Sequence, residues 1–188
     1  MNSNAPIPAG LQNEVQTILI DQRRIAERVQ ELARQIVADF QDKDLVIVSL
    51  LNGTVLFLAD LIREIELPMH LDFMGVSSYG KGTEARELVF TKDLRLDVND
   101  RDVLLVDDIL DTGQTLFHVS RKLANLAPRS LKTCVLLNKD ARRKEAVEAD
   151  YVGFDIPDEF VVGYGLDFAE RYRNLPFIGV LKPEIYES

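Results

Sequence analysis

The sequence predicts an α/β fold: a doubly wound, mainly parallel sheet with a small flanking lobe, which is called the hood lobe here. Segments 45–50 and 103–106 are apolar at nearly every position. Strands of that kind are buried on both faces, as in parallel sheets covered by helices. Strand-like and helical patterns also alternate from about residue 44 to 137, which is the order of repeated βαβ units.

Each predicted element follows from its own apolar pattern, and glycine or polar residues separate one element from the next. Predicted strands lie at 15–20, 45–50, 70–77, 87–90, 103–106 and 131–137. The predicted helices have apolar faces formed by Ile25, Val29, Leu32 and Ile36, by Val55, Leu58, Ala59 and Ile62, and by Leu116, Val119 and Leu123. The polar segment 78–86 is expected to be a mobile loop between two strands.

The length of 188 residues suits one domain, and no repeat, low-complexity tract or linker divides the chain. We expect a flexible N-terminal tail at 1–10 and a single domain at 11–188. Its core is predicted at about 40–150. The hood is predicted to form from the N-terminal segment together with 151–188, which is richer in short strands and turns.

Composition excludes several classes of function. A net charge of −9 does not favour nucleic-acid binding, and no stretch approaches the roughly 20 apolar residues that span a bilayer. His70 and His118 have no Cys or His partner at zinc-ligand spacing. The single cysteine, Cys134, is read as a buried, reduced thiol. We therefore expect a cytoplasmic protein that binds neither nucleic acid nor a membrane.

The most informative segment is 103–115, where an apolar strand is followed by paired acids and then by Asp-Thr-Gly-Gln-Thr. Ligands of open parallel sheets bind beyond the carboxyl ends of the strands. Gly113 permits a close backbone approach or a positive φ, and a helix N-terminus favours an anion. Thr112 and Thr115 add hydroxyl donors, and no Walker lysine follows. The segment thus predicts a phosphate site, with Asp107 and Asp108 able to bind vicinal hydroxyls if the chain bends there.

This segment resembles the phosphoribosyl pyrophosphate (PRPP) motif of the type I phosphoribosyltransferases, most closely their 6-oxopurine branch. The resemblance implies that Asp107 and Asp108, the first of which is often glutamate in the family, bind the ribose diol. Asp111 corresponds to the catalytic aspartate beside the purine N7. The loop around the 5′-phosphate corresponds to Asp111, Thr112, Gly113, Gln114 and Thr115.

Further residues fit the same resemblance. Lys139 resembles the lysine that binds the purine O6, Phe160 the aromatic that stacks on the base, and Val161 the residue whose backbone meets the purine edge. Asp167 resembles a ligand of the Mg²⁺ on pyrophosphate, close to the base, and Arg173 the arginine that contacts pyrophosphate. From position alone, Lys139 and Arg173 read as surface charges, and Phe160 and Val161 as core strand residues.

Two more loops resemble parts of the family's site. Asn52 and Gly53 lie in the turn that matches the pyrophosphate loop, often Leu-Lys-Gly with a cis peptide bond, and Asn52 replaces the lysine. Ser78 and Tyr79 match the Ser-Tyr of the flexible catalytic loop, which closes over the site and excludes water. An ordinary polar hairpin is the alternative interpretation of that segment.

The implied reaction transfers the 5-phosphoribosyl group from PRPP to hypoxanthine or guanine, giving IMP or GMP and pyrophosphate. The implied cofactor is Mg²⁺, with Asp107, Asp108 and Asp167 as its candidate ligands, and the family is commonly a homodimer or homotetramer. Three alternatives stay open: a phosphoribosyltransferase for xanthine or another base, a PRPP-binding regulator of RNA or transcription, and a domain that uses its sheet for protein contacts. A regulator needs a basic surface, and the most evident basic cluster here is 142–144.

Overall fold

The structure, a computed structural model, describes residues 6–79 and 87–187. Within this part of the chain the elements alternate largely as the sequence predicts. In chain order they are a 3-10 helix (Ala9–Leu11), β1 (Val15–Ile20), α1 (Gln22–Phe40), β2 (Leu45–Leu51), α2 (Val55–Glu64), β3 (Met69–Tyr79), β4 (Glu87–Lys92), β5 (Asp102–Leu110), α3 (Gln114–Ala124), β6 (Ser130–Asn138), β7 (Tyr151–Asp155), β8 (Val161–Val162), β9 (Ile178–Leu181) and α4 (Pro183–Tyr186).

The larger of two sheets has six strands in the order β4-β3-β2-β5-β6-β7. Its strands pair in parallel except at one edge, where β4 runs antiparallel to β3. The mainly parallel α/β sheet predicted from the sequence is confirmed. β4 pairs with β3 up to the pair formed by Tyr79 and Glu87, so the predicted loop lies between two strands but begins later than residue 78. Residues 80–86 of that loop lie outside the described residues.

Both faces of this sheet are covered, as the fully apolar strands require. Along β2, Leu45 and Ile47 pack into a cluster with α1 and α2, whereas Val46 and Val48 pack into a second cluster with α3. Successive side chains of a strand point to opposite faces, so this alternation separates the two layers. The predicted apolar faces of α1 and α3 are buried.

The predicted apolar face of α2 is confirmed for Leu58 and Ile62, which pack into or against the main core, and is wrong for Val55 and Ala59, which are exposed. The helix buries Phe57, Leu58 and Leu61, whereas Val55 is 45% exposed. Nearly all of the segment 55–62 is apolar, so more than one set of positions fits a helical period. The set with the larger side chains faces the sheet, because burying more apolar area is more favourable.

The strand order reverses direction between β2 and β5. From β2 the chain continues to β3 on one side, and from β5 it continues to β6 on the other. β5 pairs with β2 only as far as Val106, then extends alongside β6 to Leu110. Two parallel strands that separate at their carboxyl ends leave a crevice, which is the usual ligand position in open α/β sheets.

The second sheet, called the hood sheet here, has three antiparallel strands in the order β1-β9-β8. It joins the N-terminal segment to residues 161–181, close to the predicted hood. β7 belongs instead to the large sheet, where it pairs with β6, so hood strands begin at Val161 rather than at residue 151. The boundary fell too early because an edge strand such as β7 has the same short, mixed pattern as a hood strand. The assignment of 11–188 to a single domain stays a prediction.

The N-terminal tail, the cysteine and the helices add three further observations. Within the predicted tail 1–10, the described part begins at Pro6, and a 3-10 helix starts at Ala9. The free thiol of Cys134 is buried, and burial raises its pKa. No helix among the described residues is long and apolar enough to cross a membrane.

Candidate functional site

A cavity of about 200 Å³ occupies the crevice between the ends of β2 and β5. Its position follows from the separation of the two strands after Val106. The cavity brings together predicted ribose and pyrophosphate residues that lie about 55 positions apart in the chain. Its lining consists of Leu50, Leu51, Gly53, Thr54, Val76, Asp107, Asp108, Ile109 and Thr115.

Asp107 and Asp108 both line this cavity, although both lie inside β5 rather than after its end. The predicted bend takes the form of a change in pairing, since β5 has left β2 at this point. The backbone N–H of Asp108 donates to Asp107 Oδ1 at 2.9 Å, and that of Ile109 donates to Asp108 Oδ1 at 2.8 Å. Burial raises the pKa of both carboxyl groups, and the repulsion of Asp108 further raises that of Asp107.

The raised pKa of Asp107 predicts how stability changes with pH. An aspartate titrates near 3.9 when unfolded, so between that pH and the higher folded pKa the folded state binds more protons. The folded state therefore loses stability as pH rises through this window. Asp107→Asn has no such ionisation. We therefore expect the free energy of unfolding of Asp107→Asn, minus that of the wild type, to increase as the pH is raised from about 4 to about 7.5. Urea unfolding without ligand or divalent cation measures this difference.

The control for the loss of one negative charge is Glu148→Gln, because the Glu148 side chain is exposed. Its difference from the wild type should stay nearly constant over the same pH range. A constant difference for Asp107→Asn as well would contradict the inferred ionisation.

Gly53 lies against the acid pair because its lack of a side chain allows the contact. A Cβ at this position would stand 1.7 Å from Asp108 Oδ2. The peptide bond one position earlier, between Leu51 and Asn52, is cis, as the resemblance to the pyrophosphate loop implied. Gly165, which has a φ of +103°, packs from the hood side, where a Cβ would stand 1.9 Å from the Gly53 carbonyl oxygen. The turn after β2 is thus held between Asp108 and the 163–165 loop.

The predicted phosphate loop, 111–115, connects β5 to α3. Gly113 has a φ of +84° and forms the N-cap of α3, the left-handed conformation that glycine adopts most readily. A Cβ there would also stand 2.9 Å from the Val147 side chain. The Thr112 carbonyl accepts from the N–H groups of Lys144 and Glu145 at 2.8 and 3.2 Å. The 144–147 segment therefore supports the loop from behind, and the first turn of α3 can meet an anion.

Asp111 is the first residue after β5, at the start of this loop. Its Oδ1 is one of the buried side-chain oxygens without a hydrogen-bond partner among the described residues. Its Oδ2 lies 3.9 Å from Lys139 Nζ, at the end of the neighbouring strand β6. Buried carboxylate oxygens are nearly always hydrogen-bonded, so an oxygen without a partner is suited to accept a proton or hydrogen bond from a ligand.

Lys139 is only 5% exposed, so it is not the solvated surface lysine that its position alone suggested. Its Nζ lies 3.0 Å from Asp158 Oδ1 and donates to the Glu159 carbonyl at 3.1 Å. Asp158 was not identified from the sequence. It lies 19 positions from Lys139 in a segment read only as turn, and no periodicity or motif links the two. With these partners, the ammonium group is held beside Asp111.

Arg143 is a second residue that the sequence did not reveal, because it was counted in the basic cluster 142–144. Its guanidinium points inward and donates to the carbonyl of Asp111 at 3.0 Å, that of Val147 at 2.7 Å and Asn138 Oδ1 at 2.6 Å. Of these acceptors, Asp111 follows β5, Asn138 ends β6, and Val147 lies in the supporting 144–147 segment. Arg143 therefore ties the phosphate loop to the strand end that carries Lys139, and it contributes little to a basic surface.

Phe160 and Val161 lie at the edge of the hood sheet and differ in burial. Val161 is 8% exposed and packs into the main core, as its core-strand interpretation predicted. Phe160 is 36% exposed, which is unusual for a large apolar ring. Phe160 follows Glu159, whose carbonyl accepts from Lys139, so its backbone lies near the end of β6. The exposed part of its ring can contact a ligand.

Asp167 and Arg173 form an ion pair at 2.9 Å between Arg173 Nη2 and Asp167 Oδ1. Arg173 also donates to the Gly165 carbonyl at 2.9 Å, and its charge acts on Asp108 to oppose the rise of that pKa. Arg173 is thus more than the surface charge that its position suggested. Asp167 is not part of a metal cluster, since no group of three or more potential ligands occurs in the described ranges.

For the remaining predicted site residues, the structure gives the position in the fold but few side-chain contacts. Ser78 and Tyr79 end β3, and the structure describes their backbone but not their side chains. Asn52 is exposed at the turn after β2. Gln114 begins α3, with its N–H 3.5 Å from Thr112 Oγ1.

Fold and site together define an α/β protein with a phosphate-suited loop and an acidic crevice at the switch point of its sheet. A family model described as phosphoribosyl transferase domain matches residues 15–169. The chain therefore belongs to the phosphoribosyltransferase family.

Individual proteins and a crystal structure that resemble this chain are more specific than the family model. The chain is 44% identical to the hypoxanthine-guanine phosphoribosyltransferase of Bacillus subtilis, over 95% of this chain and 99% of that protein. A crystal structure of a hypoxanthine phosphoribosyltransferase from Staphylococcus aureus superimposes with a TM-score of 0.92 at 44% identity, covering 97% of this chain and all of that one. The chain is 46% identical to the bifunctional protein TilS/HprT of Listeria innocua, over 95% of its own length but only 28% of that longer protein.

Proposed function

We propose that this protein is a purine salvage enzyme that transfers the 5-phosphoribosyl group from PRPP to hypoxanthine or guanine, releasing pyrophosphate. The observation that carries the proposal is the arrangement at the ends of β5 and β6. There a carboxylate with an unpartnered oxygen, Asp111, faces a buried ammonium, Lys139, 3.9 Å away. Asp111 begins the phosphate-suited loop, and the acid pair lies three and four positions before it on β5. The names of the relatives support the same reaction.

Lys139 and Asp111 suit the edge of a 6-oxopurine. The ammonium can only donate, so it is matched by an oxo group at C6 and mismatched by the amino group of adenine. Asp111 accepts the proton or hydrogen bond of N7 as a general base. Phe160 offers a ring for stacking on the base, and Val161 offers backbone groups to the purine edge. These contacts select a 6-oxopurine but do not rank hypoxanthine, guanine and xanthine.

The sugar is held at the other end of the crevice. Asp107 and Asp108 bind the ribose hydroxyls and stabilise positive charge that develops at the anomeric carbon. Thr112, Gly113, Gln114 and Thr115, with the N–H groups of the first turn of α3, bind the 5′-phosphate. Asn52, Gly53 and Arg173 contact pyrophosphate, and Ser78 and Tyr79, which end β3, lead into the loop that the resemblance implies covers the reactants. The bond from the anomeric carbon to pyrophosphate breaks as the bond to the base nitrogen forms.

The carboxylates are also suited to Mg²⁺. Asp107 and Asp108 are adjacent acids whose buried charges repel each other, and a bound cation would relieve that repulsion. Mg²⁺ typically takes one or two protein carboxylates and completes its shell with phosphate oxygens and water. A cage of three protein ligands is therefore unnecessary. We propose that one or two of the candidates Asp107, Asp108 and Asp167 bind it, and Mg²⁺ bound there would offset charge on the leaving pyrophosphate.

The wider setting is also a proposal. We propose a cytoplasmic enzyme that acts as a homodimer or homotetramer on two small substrates. A regulator that binds PRPP and controls RNA or transcription is the alternative of another class. The net charge of −9 disfavours this alternative. Arg143 also disfavours it, because its guanidinium bonds to groups within the fold and is not available to a basic surface.

An assay with four bases tests the proposal. The purified protein is incubated with PRPP and Mg²⁺, and hypoxanthine, guanine, xanthine and adenine are offered separately while absorbance follows nucleotide formation. We expect product with hypoxanthine, guanine or both, and none with adenine. Product with xanthine alone would show that xanthine is the substrate. PRPP binding without any product would favour the alternative function, a regulator that binds PRPP. A gel shift with RNA at physiological salt would then test that role.

A further inference from the structure

The aromatic ring proposed to carry the base is already stacked on one side. Phe160 and Tyr186 have ring centroids 4.6 Å apart and planes inclined by 17°, a stacked pair. Phe168 meets the Phe160 ring edge-on at 5.6 Å. Despite two aromatic neighbours, Phe160 keeps 36% of its surface exposed. One face of the ring is therefore covered, and the exposure indicates that the other is open.

Tyr186 and the residue before Phe160 contact different parts of the molecule. Tyr186 and Phe168 pack against a cluster in the hood, whereas Ile109, which lines the crevice, packs against the main core. The residue before Phe160, Glu159, binds Lys139 through its carbonyl at 3.1 Å. Tyr186 thus approaches Phe160 from a position supported by the hood cluster, while the residue before Phe160 contacts Lys139.

The turn that carries Tyr186 is anchored on both sides. The Lys182 N–H donates to the Glu14 carbonyl at 2.9 Å, and Lys182 Nζ donates to the Gln12 carbonyl at 2.8 Å. Within the turn, the Ile185 N–H donates to the Lys182 carbonyl at 3.0 Å, and Ile185 packs against the hood cluster. The N-terminal segment thereby fixes the position from which Tyr186 reaches Phe160.

We propose that Tyr186 is a positioning residue for the base: it stacks on one face of Phe160 and so fixes the plane against which a 6-oxopurine stacks on the opposite face. The proposal rests on the function proposed above, in which Phe160 carries the base. Aromatic stacking depends on ring orientation, and a ring held on one face loses less freedom when a ligand binds on the other. The C-terminal turn α4 is thus part of the base site although Tyr186 need not touch the base.

The first test compares Tyr186→Ala with Tyr186→Phe, which keeps the ring. We expect Tyr186→Ala to raise KM for the base about 2- to 10-fold, the range of one aromatic pair, while KM for PRPP stays within about 2-fold. Tyr186→Phe should restore the wild-type value. The control is Ile185→Ala, which shortens a half-buried side chain of the same turn and leaves both rings of the Phe160–Tyr186 pair in place. A general weakening of the hood would move both KM values, and would do so in Ile185→Ala as well.

A double-mutant cycle decides whether Tyr186 acts through Phe160. In a Phe160→Leu background, Tyr186→Ala should have no further effect on KM for the base. An unchanged KM in the single variant, an equal effect in both backgrounds, or a lower KM would each overturn the proposal, the last because Tyr186 would then occupy the face of the base.

A binding measurement separates this proposal from the proposed function. GMP affinity, measured by calorimetry, requires no turnover, and Tyr186→Ala should weaken it by the same factor. If the wild type turns over no base but binds GMP, the proposed function fails while the cycle on GMP affinity still decides the role of Tyr186. If the wild type is active and Tyr186→Ala is unchanged, only the role of Tyr186 fails. Loss of GMP binding in the wild type itself would overturn both.

Discussion

Replacement of Asp111 by asparagine should leave the fold intact and lower turnover by about 10²–10⁴-fold, the usual effect of losing a general base. Asparagine has nearly the same shape and can keep an acceptor oxygen, but it cannot take a proton. Because Asp111 Oδ1 has no hydrogen-bond partner in the described chain, the change breaks no internal bond through that atom. Initial rates with saturating PRPP and base measure the effect.

Two controls accompany this measurement. Glu148→Gln removes an exposed carboxylate from the segment that follows Lys139 and should keep wild-type turnover. Thermal unfolding of Asp111→Asn should match the wild type within a few degrees. Wild-type turnover in Asp111→Asn would exclude the proposed role, and a large loss of stability would attribute the rate loss to the fold.

Gly53→Ala should lower kcat/KM by about 10²-fold or more, because it displaces the proposed ribose ligand Asp108 without replacing that side chain. The added Cβ would stand 1.7 Å from Asp108 Oδ2, far below any contact distance, so the Asp108 carboxylate must turn away. Gly53 is not among the glycines with positive φ, so the backbone itself accepts alanine. Displacement of a positioned group by about 1 Å can cost about 10²-fold in rate.

The matched control is Gly10→Ala, since a Cβ at Gly10 has nothing within 4 Å. Comparing kcat/KM and the unfolding temperature of the two alanine variants separates displacement of Asp108 from a general effect of replacing glycine. Gly53→Ala with wild-type kcat/KM would mean that the position of Asp108 does not limit the reaction.

Local patterns in the sequence were sufficient to predict most of the fold. β2 and β5 are apolar on both sides, and only a sheet covered by helices on both faces buries such strands. The order of elements then placed the segment 107–115 at the carboxyl end of a central strand. The phosphate loop could be predicted for the same reason, since its residues are consecutive and the conformation of Gly113 depends on its immediate neighbours.

Other features could not be predicted because they depend on where distant segments meet. Part of the apolar face of α2 was misassigned because a nearly all-apolar helix fits more than one face, and packing decides between them. The boundary of the hood was placed too early because β7 differs from a hood strand only in its pairing partner. Both choices are made by tertiary contacts rather than by local preference.

The sequence by itself determined the layered α/β fold, the loop 111–115 and the acids of β5, because each depends on residues that are near one another in the chain. Only the tertiary structure decided that Asp158 holds Lys139, that Arg143 turns inward, and that Tyr186 covers one face of Phe160. It also decided that Gly53 must lack a side chain, since Asp108 lies against it. In each of these cases the deciding contact is made by side chains or backbone groups that only folding brings together, and no periodicity records such a contact.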